Sequence, residues 1–556
     1  MKNIRMKKNG FALIVSAFLA ASCTECVEQA YLAENEHGAV QMIVDGEPFL
    51  MLAGELHNSS ASTEEYLDAI WPRIKSLNLN SLMVALAWEQ FEPIEGEYDF
   101  SLIDAIIDGG NKYGIKVGLV WFASWKNGAS SYAPSWVKHD RERFFRVVDA
   151  QGNELETLSP FCDEARDADA RAFKALAAHI REYDKDKVII AYQPENEVGA
   201  FSDMDYSSAG LAALSSQVPS KLMAYMLENK EDLRQELSAA WAEGGYMEKG
   251  TWNEVFPDMV KAKHYCMSWQ YATYVNAVAE AAREEYDLPA FCNAWLVQYP
   301  GEAPGRFPNG GPVSCVMDIW KAGAPAVDIL SPDIYLPDYK GIAADYHRDD
   351  NPLLVPEAAM NIANAYYTFG AEDGICFSPF GIEDGVGNYE FAQGYKVLDE
   401  MSPVILKHQG SRNIYAVTGA RGDVDQLIDC GDFKMRIMFN SADAYGIIIR
   451  TSADSYEVCG TGFYIRYESD LDGRIIQIEQ VLEGGYKDGE WYTERYMNGD
   501  ETDHNREVRV YGRVTELGEK VENYAAKHSS ETFVYSPETY RRIYTAGIYK
   551  VKTYWR

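Results

Sequence analysis

Histidine and cysteine are both scarce in this 556-residue chain, at nine each, and neither type clusters. The single Cys-x-x-Cys pair, Cys23 and Cys26, has no second pair to complete a tetrahedral metal site, so no zinc centre is expected. The other seven cysteines are scattered and read as small buried residues, with an occasional disulfide open to them in an oxidising compartment. Basic residues are also short: 51 Lys and Arg stand against 85 Asp and Glu, a net charge of −34. That charge repels phosphate backbones and anionic lipid surfaces, which excludes nucleic acid as a partner. There is no Gly-x-x-x-x-Gly-Lys loop and no Gly-x-Ser-x-Gly elbow, and His57 has no His or Asp close by in sequence. Nucleotide binding, serine hydrolysis and metal or other cofactor chemistry are therefore not expected.

Long apolar runs are absent apart from Phe11–Ala21, which is too short to span a bilayer. It follows Lys2, Arg5, Lys7 and Lys8, the arrangement of a signal peptide. Residues 1–22 are therefore expected to be an export signal. Ala20-Ala21-Ser22-Cys23 resembles a lipoprotein processing site, with Leu19 one place earlier than is usual, so Cys23 is expected to carry the lipid. The protein is expected in the periplasm or at the outer membrane or cell surface, touching the membrane only through that anchor.

Aromatic residues are plentiful, with 37 Tyr, 22 Phe and 12 Trp, and suit either a large core or a sugar-binding cleft. From about residue 48 to 385, short apolar runs alternate with longer amphipathic ones, the rhythm of repeated βα units. Eight strand candidates follow: Phe49–Leu56, Ser81–Trp88, Lys116–Trp121, Val188–Gln193, Ala290–Leu296, Val327–Ile334, Pro352–Glu357 and Gly374–Pro379. Residues 23–40 read as a linker, 41–410 as an α/β (β/α)8 barrel with a helical insertion at about 200–288, and 411–556 as a β-sandwich. The sandwich is predicted from runs such as Lys434–Phe439, Gly446–Arg450 and Gly462–Tyr467, separated by Asp-Gly and Gly-Gly turns.

In such a barrel, residues following the strands meet in a common mouth. Here they are rich in carboxylates: Glu55 after strand one, Glu89 after strand two, Glu195-Asn196-Glu197 after strand four and Glu357 after strand seven. A pair at strands four and seven suits glycosidic cleavage, one carboxyl protonating the leaving oxygen while the other attacks the anomeric carbon. Glu197 and Glu357 fit that pair. Glu195, two residues earlier, is placed on the same strand face by period two and is given a structural or pKa-tuning role. Trp88, Trp121, Trp295 and Trp320 are candidates either for stacking on sugars or for the core.

The stretch Gln193-x-Glu195-Asn196-Glu197-x-Gly199 resembles the acid/base motif of glycoside hydrolase family 35, the β-galactosidases of the retaining (β/α)8 clan. Trp88-x-x-Phe91-Glu92-Pro93-x-Glu95-Gly96 resembles the strand-two loop of families 35 and 42, and Trp125-Lys126-Asn127-Gly128 the strand-three loop of family 35. The resemblance covers about residues 40–400, and the remainder is similar to the extra β-domain of a bacterial branch. It implies Glu197 as acid/base, Glu357 as nucleophile and Asn196 as partner of the sugar 2-hydroxyl. It further implies that Glu55, Trp125, Lys126, Asn127 and Tyr335 shape the subsite. Val198 and Ala358-Ala359-Met360 depart from the family pattern, which leaves the sugar open. The expected function is a retaining, exo-acting β-galactosidase on an oligo- or polysaccharide. The alternatives are another β-glycosidase of the clan (β-glucosidase, exo-glucosaminidase or endo-glycanase) and a non-catalytic glycan-binding lipoprotein.

Overall fold

The structure is a computed structural model that describes residues 28–515 and 543–556, apart from 470, 472 and 498. The export signal and Cys23 lie outside the described residues. The chain opens with a three-stranded antiparallel sheet, β1 (Tyr31–Glu34), β2 (Val40–Val44) and β3 (Glu47–Phe49). Strand β1 falls within the stretch expected as linker. Leu32, Met42 and Val44 anchor the sheet on the core, and the Gln41 amide donates to the Leu406 carbonyl at 2.7 Å.

Eight parallel strands follow: β4 (Met51–Leu52), β5 (Ser81–Ala87), β6 (Lys116–Lys126), β9 (Ile189–Asn196), β10 (Phe291–Trp295), β11 (Ile329–Ile334), β12 (Leu354–Ala358) and β13 (Cys376–Pro379). Their sequences are nearly continuous apolar runs because both faces are covered, by the barrel interior and by helices. Two ladders, β5-β6-β9 and β10-β11-β12-β13-β4, carry them. Single parallel bridges, Glu55 with Met83 and Tyr192 with Ala290, join the ladders' edges, so the eight strands succeed one another in chain order around a barrel. Strand one is much shorter than expected. Gly54 sits so close to Ile382 that a Cβ there would lie 2.4 Å from the Ile382 side chain, and Glu55 makes only single bridges to Met83 and Phe380.

Strand β6 runs five residues past its expected end at Trp121. Between β6 and β9 lie a hairpin, β7 (Arg146–Val148) and β8 (Glu154–Leu158), and the long helix Asp163–Tyr183. The expected insertion after strand four holds the helices from Ser208 to Glu285, the last of them Met259–Glu285.

The C-terminal region forms a six-stranded and a four-stranded antiparallel sheet whose apolar side chains share one core, including Phe433, Met435, Ile437, Ile448, Val458 and Val551. Strand Phe433–Phe439 alternates buried and part-exposed residues. By contrast, Ala444–Arg450 is buried almost throughout. Its other face carries Tyr445, Ile447 and Ile449 into the barrel's own core, against the helix Ile362–Ala371. A Cβ on Gly370 would lie 2.9 Å from Ile447, so the two parts meet at core density. Replacing Ile447 by Asp should therefore strand a charge between them and destabilise the chain by about 4 kcal/mol or more. Barrel and β-domain signals should fall together in one calorimetric transition, and separate transitions would show the two parts to be independent.

Candidate active site

The ends of β9, β11 and β12 bring three carboxyls together at the mouth. One oxygen each of Glu197, Asp333 and Glu357 lies within 4.8 Å of the others. The parallel register sets Asp333 beside Glu357 on one side and beside Trp295 on the other. Glu55, buried at the end of strand one, completes the group through a side-chain hydrogen bond with Glu357. The Lys126 ammonium is buried with them, and its charge reaches both Glu55 and Glu197.

Crowded like charges out of water favour proton uptake. Burial, then the neighbouring Glu357, pushes the Glu197 carboxyl up to about 7, with Lys126 and Asp333 working in the other direction. Burial and the surrounding carboxylates hold Glu55 and Asp333 well above the ordinary range. Glu357 has different company: its Oε1 accepts the Tyr335 hydroxyl at 2.6 Å. These neighbours place Glu197 as a neutral donor near pH 7 and direct O–H donors at Glu357.

Two further residues, on strands five and six, build the site without having been expected there. The Asn293 Oδ1 accepts the Glu197 backbone N–H at 2.9 Å. Its Nδ2 donates to Asn196 Oδ1 at 3.0 Å and to Asp333 Oδ2 at 2.7 Å. Asn293 thus ties strands four, five and six at the level of the acid groups. Asp333 sits two residues before Tyr335 and was hidden by the apolar run around it.

Of the expected residues, Asn196 is fixed by Gln193 and Asn293, leaving its buried Nδ2 with no protein partner. Glu197 Oε2, Glu357 Oε2, Asp333 Oδ1 and Asn127 Oδ1 are likewise buried without one. One donor and several acceptors in one small space suit a polyhydroxylated ligand. Tyr335 and Phe201 are half exposed at the rim, and Phe201 meets the part-buried Trp295 edge-to-face at 5.9 Å.

Trp125 departs from expectation. Its ring is fully buried against Tyr271 and Tyr274, and its indole N–H donates to the Leu158 carbonyl at 3.0 Å. Trp125 therefore supports the site from behind and offers no face to a sugar. Trp88, Trp121 and Trp320 are also core residues with engaged indole N–H groups.

Glu195 departs too. Period two would put it beside Glu197, but Glu195 and Glu197 have φ of 65° and 46°, so the alternation fails. The Glu195 carboxyl turns away from the mouth, toward β6.

Among the described residues, Glu197, Asp333 and Glu357 are the group close enough to grip a cation. They include no histidine or thiol, and Glu197 and Asp333 both favour their neutral forms.

The raised Glu197 value fixes a pH dependence. In the unfolded chain the group ionises near 4.5 and in the folded chain near 7, so the folded state binds the extra proton between these limits. Stability is full below 4.5 and falls as pH rises through 7, by about 3 kcal/mol in all. Glu197→Gln cannot ionise. Its melting temperature relative to the native chain should be lowest at pH 4 and rise steadily to about pH 8, and a flat difference would contradict the assigned burial cost.

Residues 58–291 match the glycoside hydrolase family 42 model, described as β-galactosidase, and residues 391–509 match a domain of unknown function, DUF5597. Family 42, not the family 35 that the motifs resemble, is therefore what the match supports. β-Galactosidase BbgII of Bifidobacterium bifidum is 26% identical over 185 residues, 32% of this chain and 25% of its own length. A β-galactosidase of an Arthrobacter species is 24% identical over 209 residues, 35% of this chain and 27% of its own. The chain thus spans about a quarter of the length of these relatives. Among solved structures, the cold-adapted β-galactosidase of Rahnella sp. R3 superposes with a TM-score of 0.44 at 16% identity, over 67% of this chain and 58% of that one. Over residues 58–291, within the barrel, the chain is thus similar to the β-galactosidases of glycoside hydrolase family 42.

Proposed function

We propose that the protein is a retaining, exo-acting β-galactosidase that removes terminal β-galactose from glycans. The observation that carries this reading is the contrast within one pair. Glu197 and Glu357 have oxygens within 4.8 Å, Glu197 is pushed up to about 7, and Glu357 accepts an O–H from Tyr335. Oxygens this close suit the shorter of the two carboxyl spacings that glycosidases use, in which one carboxylate attacks the anomeric carbon directly.

In the proposed reaction Glu357 attacks C1 while Glu197 gives its proton to the departing oxygen. The glycosyl ester forms as the glycosidic C–O bond breaks. Glu197, now ionised, takes a proton from water, whose oxygen displaces Glu357 and releases the sugar with its configuration kept. Asn196 Nδ2 is free to donate to the 2-hydroxyl. Galactose is the sugar named in the matching family and relatives, and the half-exposed Phe201 and Tyr335, with the part-buried Trp295, offer apolar surface to the leaving group.

A panel of nitrophenyl glycosides tests the sugar: galactoside should be cleaved fastest, and faster turnover of glucoside or N-acetylglucosaminide would overturn the galactose assignment. Glu357→Gln should abolish turnover. Glu197→Ala should lose about 10²–10⁴-fold with a poor leaving group and far less with dinitrophenol, and azide should restore it as the β-glycosyl azide.

We further propose export with a lipid anchor at Cys23. Several acyl chains, each adding about 0.8 kcal/mol per buried CH₂, hold a protein durably on a membrane, whereas one does not. The native protein should fractionate with membranes and Cys23→Ala should be soluble. Soluble behaviour of both would remove the anchor and leave the hydrolase reading intact.

A further inference from the structure

The acid group that the proposed reaction leaves unused is the pair Glu195 and Asp169, buried behind the mouth. Strand register explains why it exists. Trp121 of β6 pairs with Pro194 of β9, and the next pair is Lys126 with Asn196, so four residues of β6 stand opposite Glu195 alone. The bulge takes the Ser124 and Trp125 amides out of the ladder in a fully buried place. Both donate instead to the Glu195 carboxyl, at 3.2 and 2.7 Å. An unmet buried amide costs about 1–3 kcal/mol, so the bulge depends on this side chain.

Asp169, on the helix Asp163–Tyr183, closes the arrangement. It accepts the Trp121 indole N–H at 2.8 Å and the Ser124 hydroxyl at 2.6 Å, and it shares a hydrogen bond with Glu195. The Ser124 hydroxyl also meets Tyr274 at 2.7 Å. A hydrogen bond between two carboxyls requires one proton. Each carboxyl also accepts two other donors, and burial followed by the neighbouring Asp169 holds Glu195 well above the ordinary range. The bulge delivers Lys126 and Asn127 to the mouth, and the Asn127 N–H donates to the Asn196 carbonyl at 3.3 Å. Glu195 and Glu197 both hold left-handed backbone, a conformation costing about 1–2 kcal/mol per residue that surrounding contacts must maintain.

We propose that Glu195 and Asp169 are positioning residues. By gathering the Ser124 and Trp125 amides, the Ser124 hydroxyl and the Trp121 indole N–H, their carboxyls lock the β6 bulge onto the strained end of β9, and so aim Glu197, Asn196 and Lys126 together at one sugar. The proposal rests on Glu197 being the acid/base.

Glu195→Gln and Asp169→Asn test it, with nitrophenyl and dinitrophenyl galactosides as substrates and melting temperature recorded alongside. Each variant should lower kcat by about 10–100-fold on both substrates, because misaiming affects the whole site and not only proton donation. Azide should restore neither. The double variant should lose no more than about threefold beyond the worse single one, as expected of residues acting as a unit. Ser124→Ala, which removes one donor to Asp169 and no buried acid, should lower kcat in the same sense and carries the test if either acid variant fails to fold. Native kcat with only a lowered melting temperature, in Ser124→Ala and in whichever acid variant folds, would reduce the pair to a structural role and overturn the proposal. Azide rescue of Glu195→Gln would overturn it differently, by making Glu195 the acid itself. Azide rescue of Glu197→Ala, measured separately, reports on the underlying reading, so the two failures are distinguishable.

Discussion

Burying several carboxyls around one lysine at the end of a barrel is the constraint on which the rest of this site depends. A buried ionised carboxylate costs several kcal/mol even after its surroundings relax, and four of them cannot all stay charged. The chain answers by letting some acids keep protons and by surrounding the remainder with donors. Lys126 supplies positive charge, Tyr335 an O–H, and Asn293 an amide that faces Asp333 and Asn196 at once. The chemistry proposed for Glu197 and Glu357 is a by-product of the same distribution, since an acid that must hold its proton near neutral pH is what general acid catalysis needs.

A second acid pair, one layer deeper, applies the same physics to geometry. Glu195 and Asp169 sit where the β6 bulge would otherwise leave buried amides unpaired. Barrel strands normally satisfy their own backbone groups, so a bulge at the active end is affordable only where a side chain replaces the missing ladder bonds. The six-stranded sheet of the C-terminal region covers the helix Ile362–Ala371 on the barrel's flank, and the shared core there explains why residues that would be solvent-facing in an isolated sandwich are apolar.

Much of this was legible in the sequence. The eight barrel strands were visible because runs such as Ser81–Ala87 are apolar on both faces, and Glu197 and Glu357 because charges ending such runs stand out. Four features were not. Asp333 and Asn293 lie inside strands, where one polar residue in an apolar run carries no local sign of which acid it will meet. The directions of Glu195 and Glu197 depend on left-handed backbone that period two cannot anticipate. Trp125 belongs to a loop motif that suggested sugar contact, yet the tyrosines of the distant helix Met259–Glu285 cover its ring. Likewise the partner of His57 is Asp384, at 2.9 Å but far away along the chain. The motif resemblance to family 35 and the match to family 42 share the strand-two loop, which is too short to separate the two.

The most direct test of the account is to identify the residue that becomes covalently glycosylated. Incubation with a 2-deoxy-2-fluoro-β-galactoside bearing a dinitrophenyl leaving group slows both steps, and an activated leaving group lets the first outrun the second, so the glycosyl-enzyme accumulates. Intact-mass and peptide analysis should then find one adduct, on Glu357. An adduct on Glu55 or Asp333, or no adduct together with inverted product from the natural sugar, would contradict the account.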